Sequence, residues 1–432
     1  MNATPYFTPT RAGATAGAHR IAPPARKRRV ALYSHDTMGI GHMRRNLRIA
    51  QALSSGPDPL VILLIAGARE IHAFGIPDGA DYLSLPALHK AGNGDYQSRH
   101  LDISIAEMAE LRGQSIAAAL EAFAPDVFVV DKVPRGAVNE LDRALAMLTR
   151  KGGTRCVLGL RDVLDDPDVV RREWEAFDGD ATLRSHYDAV WIYGDPAVYD
   201  ATNEYDFSPE VAAKVVFTGY LDQRRAQRDS EKDTKLDTVV DSKDRLYLCT
   251  VGGGQDGARL ADAFAHTVFP KGATGVLLAG PFMPAQTRER IERSAANNPR
   301  LKVLPFVNDS ERWLERADRI VAMGGYNTVC EALSFDKPTL IVPRVEPRRE
   351  QLIRAERLRD LGLIDLMHPA ELTPQSLGQW LGRDMPPRIP SRQRIDLNGL
   401  ERLPFLLHDL LHPSTARTAR PRADKRCHCV PI

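Results

Sequence analysis

His42 and Glu331 are the two side chains in this 432-residue sequence whose type and setting point most directly to chemistry. His42 closes the run His35-Asp36-Thr37-Met38-Gly39-Ile40-Gly41-His42, between an apolar stretch at Val30–Ser34 and a helical pattern from Met43 to Leu53. A histidine on such a strand-to-helix turn titrates in the range suited to proton transfer near neutral pH. In open α/β sheets, ligands bind beyond the carboxyl ends of the strands, where this turn falls. Glu331 belongs to RIVAMGGYNTVCEALSFDKPTLIVPR, Arg319 to Arg344, in which an apolar run meets Gly324-Gly325, a helical segment follows, and Pro338–Val342 makes a second apolar run. That pattern is a βαβ unit with its glycines at the strand–helix junction. The helix start offers free N–H groups and partial positive charge to a phosphate, worth roughly 0.3–1 kcal/mol and up to about 2 when partly buried. If Asn327 caps the helix, Glu331 sits one turn in, placed to accept both hydroxyls of a ribose.

A third turn, Val251-Gly252-Gly253-Gly254-Gln255-Asp256-Gly257-Ala258, follows the apolar stretch Arg245–Thr250 and carries four glycines in six positions. It suits a phosphate-cradling loop, although no Gly-Lys-Ser/Thr follows and the dinucleotide fingerprint is out of register. Plainer readings stand beside each of these. His42 can cap its own helix, Glu331 can complement a helix dipole, and Gly-Gly junctions are common in α/β proteins.

Taken in order, the three turns resemble those of the GT-B glycosyltransferases, and most of all family 28, the lipid-linked muramyl-pentapeptide N-acetylglucosaminyltransferase family. The resemblance runs from about Val30 to His368 and is tightest over Leu246–Met367. It implies that GGGQDGA is the second glycine loop, with Gly252, Gly253, Gly254 and Gln255 at the donor. It likens Val303–Asp309 to the segment packing on the nucleotide base, with Phe306 in contact. GGYNTVCEAL is similar to the diphosphate-and-ribose turn, giving Gly324, Gly325, Asn327, Thr328 and Glu331 to the donor. Glu350 and Gln351 fall where the family faces the donor sugar. MGIGH looks like the N-terminal glycine loop, with Gly39 and Gly41 on the acceptor side and His42 as base or acceptor-orienting residue. The chain departs from the family at Arg44-Arg45-Asn46, where a proline is usual, and at Arg344–Arg349, which replaces a Phe- and Gln-containing loop.

The elements that must position these residues follow from patterning. Short apolar runs alternate with amphipathic helices, which argues for an α/β protein with parallel sheets. Strands are expected at Val30–Ser34, Leu60–Ala66, Val127–Asp131, Cys156–Leu160, Ala189–Tyr193 and Val215–Thr218. After a polar break they resume at Leu246–Thr250, Gly275–Ala279, Lys302–Pro305, Arg319–Met323, Thr339–Val342 and Leu363–Leu366. The expected organisation is a tail at 1–28, an acceptor-side Rossmann-like domain at 29–222 and a linker at 223–244. A donor domain at 245–398, a return helix at 399–412 and a basic tail at 413–432 complete it. The two Rossmann-like domains face each other across a cleft, the GT-B architecture that the resemblance implies. Asp131-Lys132 and Arg161-Asp162 end two first-half strands, so Asp131, Arg161 and Asp162 are expected at the cleft, with local salt bridges as the plainer reading. Ile103, Ala106, Met108, Leu111 and Ile116 read as a helix face packed on the core, or, in the sharper reading, as a membrane-docking face.

A net charge of +2 gives no argument for nucleic acid. Apolar content of 43% and charged content of 26% are those of a globular protein. No apolar run reaches the roughly 18–20 residues of a membrane span, and the start of the chain lacks a signal-like apolar core, so a cytoplasmic protein, with at most peripheral membrane contact, is expected. Cys156, Cys249 and Cys330 read as buried thiols, and Cys427-His428-Cys429 is an incomplete metal set.

The resemblance implies metal-independent, inverting transfer of a sugar from a nucleotide-diphosphate donor, a UDP-sugar, to an acceptor hydroxyl deprotonated by His42. The acceptor is left open among lipid, polysaccharide and small molecule. Arg344 or Arg348 would help stabilise the leaving diphosphate, and neither cofactor nor metal is expected. Two other readings keep the fold. An epimerase or hydrolase would rely on Asp131, Asp162 and Glu346, and a non-catalytic nucleotide-sugar-binding subunit would tolerate loss of His42.

Overall fold

Thirteen strands, most of them in runs that are apolar on both faces, sort into two parallel sheets, as expected where helices cover both sides. The computed structural model describes residues 26–35, 41–67, 75–90, 95–224, 234–305, 307, 310–386 and 388–412. Gly39, Phe306, the segment 413–432 and most of 1–28 therefore lie outside the described residues.

The first sheet uses β1 (Arg28–Ser34), β2 (Leu60–Ala66), β3 (Ala80–Ser84), β6 (Val127–Asp131), β7 (Arg155–Arg161), β8 (Ala189–Tyr193) and β9 (Val215–Phe217). Between them β4 (Leu88–Lys90) and β5 (Tyr96–Ser98) pair antiparallel as a separate ribbon. The strand order is β3-β2-β1-β6-β7-β8-β9. The second sheet uses β10 (Arg245–Thr250), β11 (Ala273–Leu278), β12 (Leu301–Leu304), β13 (Arg319–Ala322), β14 (Thr339–Ile341) and β15 (Asp365–Leu366), ordered β12-β11-β10-β13-β14-β15. That is the doubly wound 3-2-1-4-5-6 order, whose crevice opens where the order reverses. The reversals fall between β1 and β6 in one sheet and between β10 and β13 in the other. The turns after β1, β10 and β13 are the three glycine turns. Topology alone thus brings them to the two crevices.

The polar stretch after Asp222 is more structured than its composition suggests. It contains a helix, Thr234–Val239, and Leu236, Val239 and Val240 join the main apolar cluster. That cluster is continuous through both domains, from Val30 and Leu32 to Leu248 and Ile320, with Tyr220, Trp313 and Tyr326 between them. The chain then returns to the first domain. The helix Gly399–Leu411 packs on the helix Gly41–Ser54, buries Leu400, Leu403 and Leu407, and begins beside Tyr220, whose carbonyl accepts from Gly399 N at 3.0 Å. The helix Ile105–Phe123 follows the expected core pattern only at Met108 and Ile116. Ala106 and Leu111 face solvent instead, because Arg112 occupies the buried face and bonds Glu140 beneath it. No helix among the described residues is long and apolar enough to cross a membrane.

Candidate active site

The site is a cavity of about 290 Å³ between the two sheets, lined from both domains. The second domain supplies backbone. Gly252 and Gly254 have φ of 61° and 91°, values open to glycine at little cost. A Cβ on Gly254 would stand 2.4 Å from the Ala279 carbonyl, whereas Gly252 has open space on that side. Gly252, Gly253, Gly254, Gln255 and Asp256 all line the cavity. Across from them, the helix Tyr326–Ser334 starts at Gly325, with Tyr326, Asn327 and Thr328 on the wall. Its first-turn N–H groups have no partner within the helix.

Asn327 does not cap this helix. Gly325 is the N-cap, and the Asn327 amide instead donates to the Gly41 carbonyl of the first domain at 2.9 Å. Glu331 lines the cavity one turn further in, and burial, opposed by Arg44 and Arg48, raises its pKa. Arg44, from the first domain, reaches Glu331 Oε1 at 3.4 Å and Ser310 Oγ at 3.2 Å.

The first domain supplies side chains. His42 enters from the start of its helix, 19% exposed, with Nδ1 at 2.5 Å from Asp131 Oδ2. Asp131 also accepts from Arg45 Nη2 at 2.5 and 2.7 Å. Burial would raise the Asp131 carboxyl, but Arg45 and His42 hold it well below the usual carboxylate range. Burial lowers the His42 pKa to about 4 despite the pull of Asp131, with Arg45 and Lys132 adding to the depression. With Nδ1–H donating to the carboxylate, Nε2 is the nitrogen left to accept a proton. His35 lies behind, buried, its ring centroid 4.7 Å from that of His42 and its Nδ1 without a partner.

Several expected residues support the cavity rather than line it. Gly324 is packed under Gln351, whose Oε1 accepts from Gly324 N at 3.1 Å and Arg344 N at 3.0 Å, while Gln351 itself is on the wall. Arg344 bonds Asp256 at 2.8 Å and Glu350 at 2.5 Å, so it braces the glycine loop from outside. Glu350 is buried beneath it. Asp162 is fully buried and taken by Arg354, at 2.6 to 3.0 Å, and by the Tyr220 hydroxyl at 2.8 Å. Arg348 is committed to Asp165 and Glu173 of the first domain and does not line the cavity, so it is not the expected diphosphate ligand. Gly41 and Arg161 do line it.

Sequence reasoning missed Arg44, Arg45, Ser310, Tyr326 and Gly280 on the wall. For the two arginines a signal existed: they stand where the family usually has a proline, directly after the histidine turn. The one group of three potential metal ligands among the described residues, Asp58, His408 and His412, lies on the return helix and the loop after Gly41–Ser54, and none of the three lines the cavity.

Two doubly wound domains with a shared cleft and a returning C-terminal helix define the GT-B class. The chain aligns over 88% of its length with the structure of Acinetobacter baumannii MurG, covering 99% of it at 16% identity and a TM-score of 0.52. It aligns over 92% with a putative UDP-N-acetylglucosamine 2-epimerase of Listeria monocytogenes, covering 99% of that chain at 13% identity and a TM-score of 0.58. At such identities these likenesses establish the fold. The chain is similar to glycosyltransferase family 28, and the likeness is concentrated in the second domain, where residues 248–391 match the Glycosyltransferase family 28 C-terminal domain. Among curated relatives, the UDP-N-acetylglucosamine–N-acetylmuramyl-(pentapeptide) pyrophosphoryl-undecaprenol N-acetylglucosamine transferase of Haemophilus influenzae is 28% identical over 145 residues, 33% of this chain. The chain spans about two fifths of the length of that relative.

Proposed function

We propose that the protein transfers a sugar, with inversion and without a metal, from a UDP-sugar to an acceptor hydroxyl. The observation that carries this reading is that one cavity is lined by His42 of the first domain and by the glycine turns and Glu331 of the second. In the proposed mechanism the diphosphate sits against Gly252–Gln255 and the start of the helix Tyr326–Ser334, and Glu331 accepts the ribose hydroxyls. His42 Nε2 takes the proton of the acceptor hydroxyl as it attacks the anomeric carbon, while the C–O bond to the diphosphate breaks. Asp131 holds the imidazole and offsets the charge it gains. The leaving diphosphate is met by preorganised N–H donors.

The epimerase likeness favours a second reading, in which the same cleft acts on the nucleotide-sugar alone. Two of the three carboxylates it would enlist are already engaged, Asp131 by Arg45 and His42, and Asp162 by Arg354 and Tyr220. That favours transfer. The test is thermal unfolding of wild type and Glu331→Ala with UDP, GDP, UDP-glucose and UDP-N-acetylglucosamine, followed by UDP release with and without acceptors. Ligand at about 100 times its dissociation constant adds roughly 2.7 kcal/mol of apparent stability. A uridine-specific shift lost in Glu331→Ala, with acceptor-dependent UDP release, is the expected result. Turnover without any acceptor would move the assignment to the second reading.

A further inference from the structure

Two strand ends on the first-domain wall carry an acid next to a base, Asp131-Lys132 after β6 and Arg161-Asp162 after β7. In each pair the acid is engaged by an arginine from elsewhere. Arg45 takes Asp131, and Arg354 crosses from the second domain to take Asp162. The two bases are left over. The Arg161 side chain makes no hydrogen bond or ion pair among the described residues, its Nε is buried without a partner, and it lines the cavity. The Lys132 ammonium likewise has no salt-bridge partner among the described residues. Its backbone N–H bonds the Gly159 carbonyl at 2.8 Å, which holds it at the end of the neighbouring strand, half-buried at a φ of 70°.

The nearby carboxylates do not neutralise these bases. Glu350 acts on both from a distance, but it bonds Arg344 and keeps one oxygen unpartnered. Glu173, which acts on Lys132, is paired with Arg348. His35 adds no negative charge. A charge partly shielded from water without a partner costs stability, so an unpaired Arg161 on the cavity wall, with Lys132 at the end of the adjoining strand, is arranged for an anion that arrives from outside.

We infer that Lys132 and Arg161 form an anion subsite on the first-domain wall, which takes a phosphate or carboxylate carried by the acceptor beside its reacting hydroxyl. This rests on the transfer reading above, in which the donor diphosphate occupies the opposite wall. Arg161 presents a planar fork to an oxyanion and Lys132 a point charge. Burial, followed by Arg161 and Arg348, pushes the Lys132 pKa down to about 7. The lysine is therefore partly neutral when the subsite is empty, and an arriving anion draws a proton onto it.

The experiment is calorimetric titration of the UDP-saturated full chain with inorganic phosphate, pyrophosphate and acetate at pH 7.5. Two buffers of different ionisation enthalpy are used. The expected result is saturable binding with UDP still bound, accompanied by net proton uptake. Arg161→Met should weaken that binding at least tenfold, and Lys132→Met should abolish the proton uptake. UDP affinity should stay within about twofold in both. Because each variant removes an unpaired charge, both should melt at or above the wild-type temperature, whereas a structural salt-bridge role would lower it.

Displacement of the anion by UDP would overturn the subsite by assigning it to the donor diphosphate. Binding that survives both substitutions, or no binding by any of the three anions, would overturn it too. If UDP itself does not bind, the proposed function fails. The same titration on the ligand-free protein then still decides whether Lys132 and Arg161 hold an anion.

Discussion

The two walls of the cavity are built from different material. The second-domain wall is largely main chain: glycine turns after β10 and β13 and the first turn of a helix, with Glu331 as its one acid on the cavity apart from Asp256 at the loop edge. The first-domain wall is side chain, with His42 held by Asp131 and Arg45, and with Arg44 and Arg161 also on the cavity. Backbone donors are fixed by the fold and recognise a group common to many substrates. Side chains hold protons and charges whose value depends on neighbours. The contrast predicts that changes on the first wall alter rate and acceptor use, while changes on the second alter nucleotide affinity.

The largest expected break of that contrast is His42→Ala. Loss of a positioned general base should lower kcat by about 10²–10⁴, roughly 2.7–5.4 kcal/mol of barrier, with UDP affinity unchanged by calorimetry. A parallel loss of UDP affinity would mean the histidine serves the donor wall. Next is the seam itself. Arg354 and Asp162 are both fully buried and join the two domains, with Arg354 Nη1 also donating to the Gly324 carbonyl at 2.8 Å. Arg354→Ala leaves a buried carboxylate without its counter-charge, held only by the Tyr220 hydroxyl and the Val163 N–H, and should cost about 3–5 kcal/mol in denaturant unfolding. A loss below about 1 kcal/mol would show that the domains separate and hydrate this pair.

Much of this was legible in the sequence, and the reasons are physical. Strands buried on both faces write themselves as apolar runs, so all six strands of the second domain and six of the first could be placed within a residue or two. The short strands β3, β4 and β5 were not, because Ala80–Ser84 has no fully buried residue and the other two form a small separate ribbon. The glycine turns could be read because glycine is the signal. What could not be read is which charge pairs with which. Asp162 and Arg354 are 192 residues apart, and nothing local marks them as partners. For the same reason Arg348 was expected at the diphosphate, whereas the cross-domain acids Asp165 and Glu173 hold it.

The second wall can be tested glycine by glycine. Gly254→Ala forces a Cβ to 2.4 Å from the Ala279 carbonyl at a left-handed φ, so the loop must move. Gly252→Ala meets no atom and bears only the cost of its φ, about 1 kcal/mol. Gly254→Ala should therefore destabilise the protein more, by about 2–3 kcal/mol, and weaken UDP binding. Gly252→Ala should fold nearly normally. Its UDP affinity then reads how closely the diphosphate approaches that Cα. Equal stability in the two variants would contradict the packing described here.

The smallest effect, and the one that separates the walls most cleanly, is the order of events on acidification. Once Lys132, whose pKa is pushed down to about 7, has taken its proton, each wall titrates through one further group, with opposite requirements. Glu331 must be ionised to accept hydroxyls, and burial raises its pKa. His42 must be neutral to accept a proton, and burial lowers its pKa to about 4. As pH falls, Glu331 therefore takes up its proton above the pH usual for a glutamate, and UDP affinity weakens first. Turnover at saturating donor persists until His42 protonates near pH 4, well below the ordinary histidine value of 6.5. The expected profile is a KM that rises before kcat declines, with UDP affinity following KM. The sign for stability is consistent with this. An unfolded chain binds the His42 proton at a higher pH than the folded one, so His42 favours the folded state fully above about 6.5 and progressively less down to about 4. His42→Ala should flatten that part of the stability curve and leave the pH dependence of UDP affinity unchanged. A kcat limb near 6.5 instead would mean that water reaches His42 and that the first wall is more open than its 19% exposure implies.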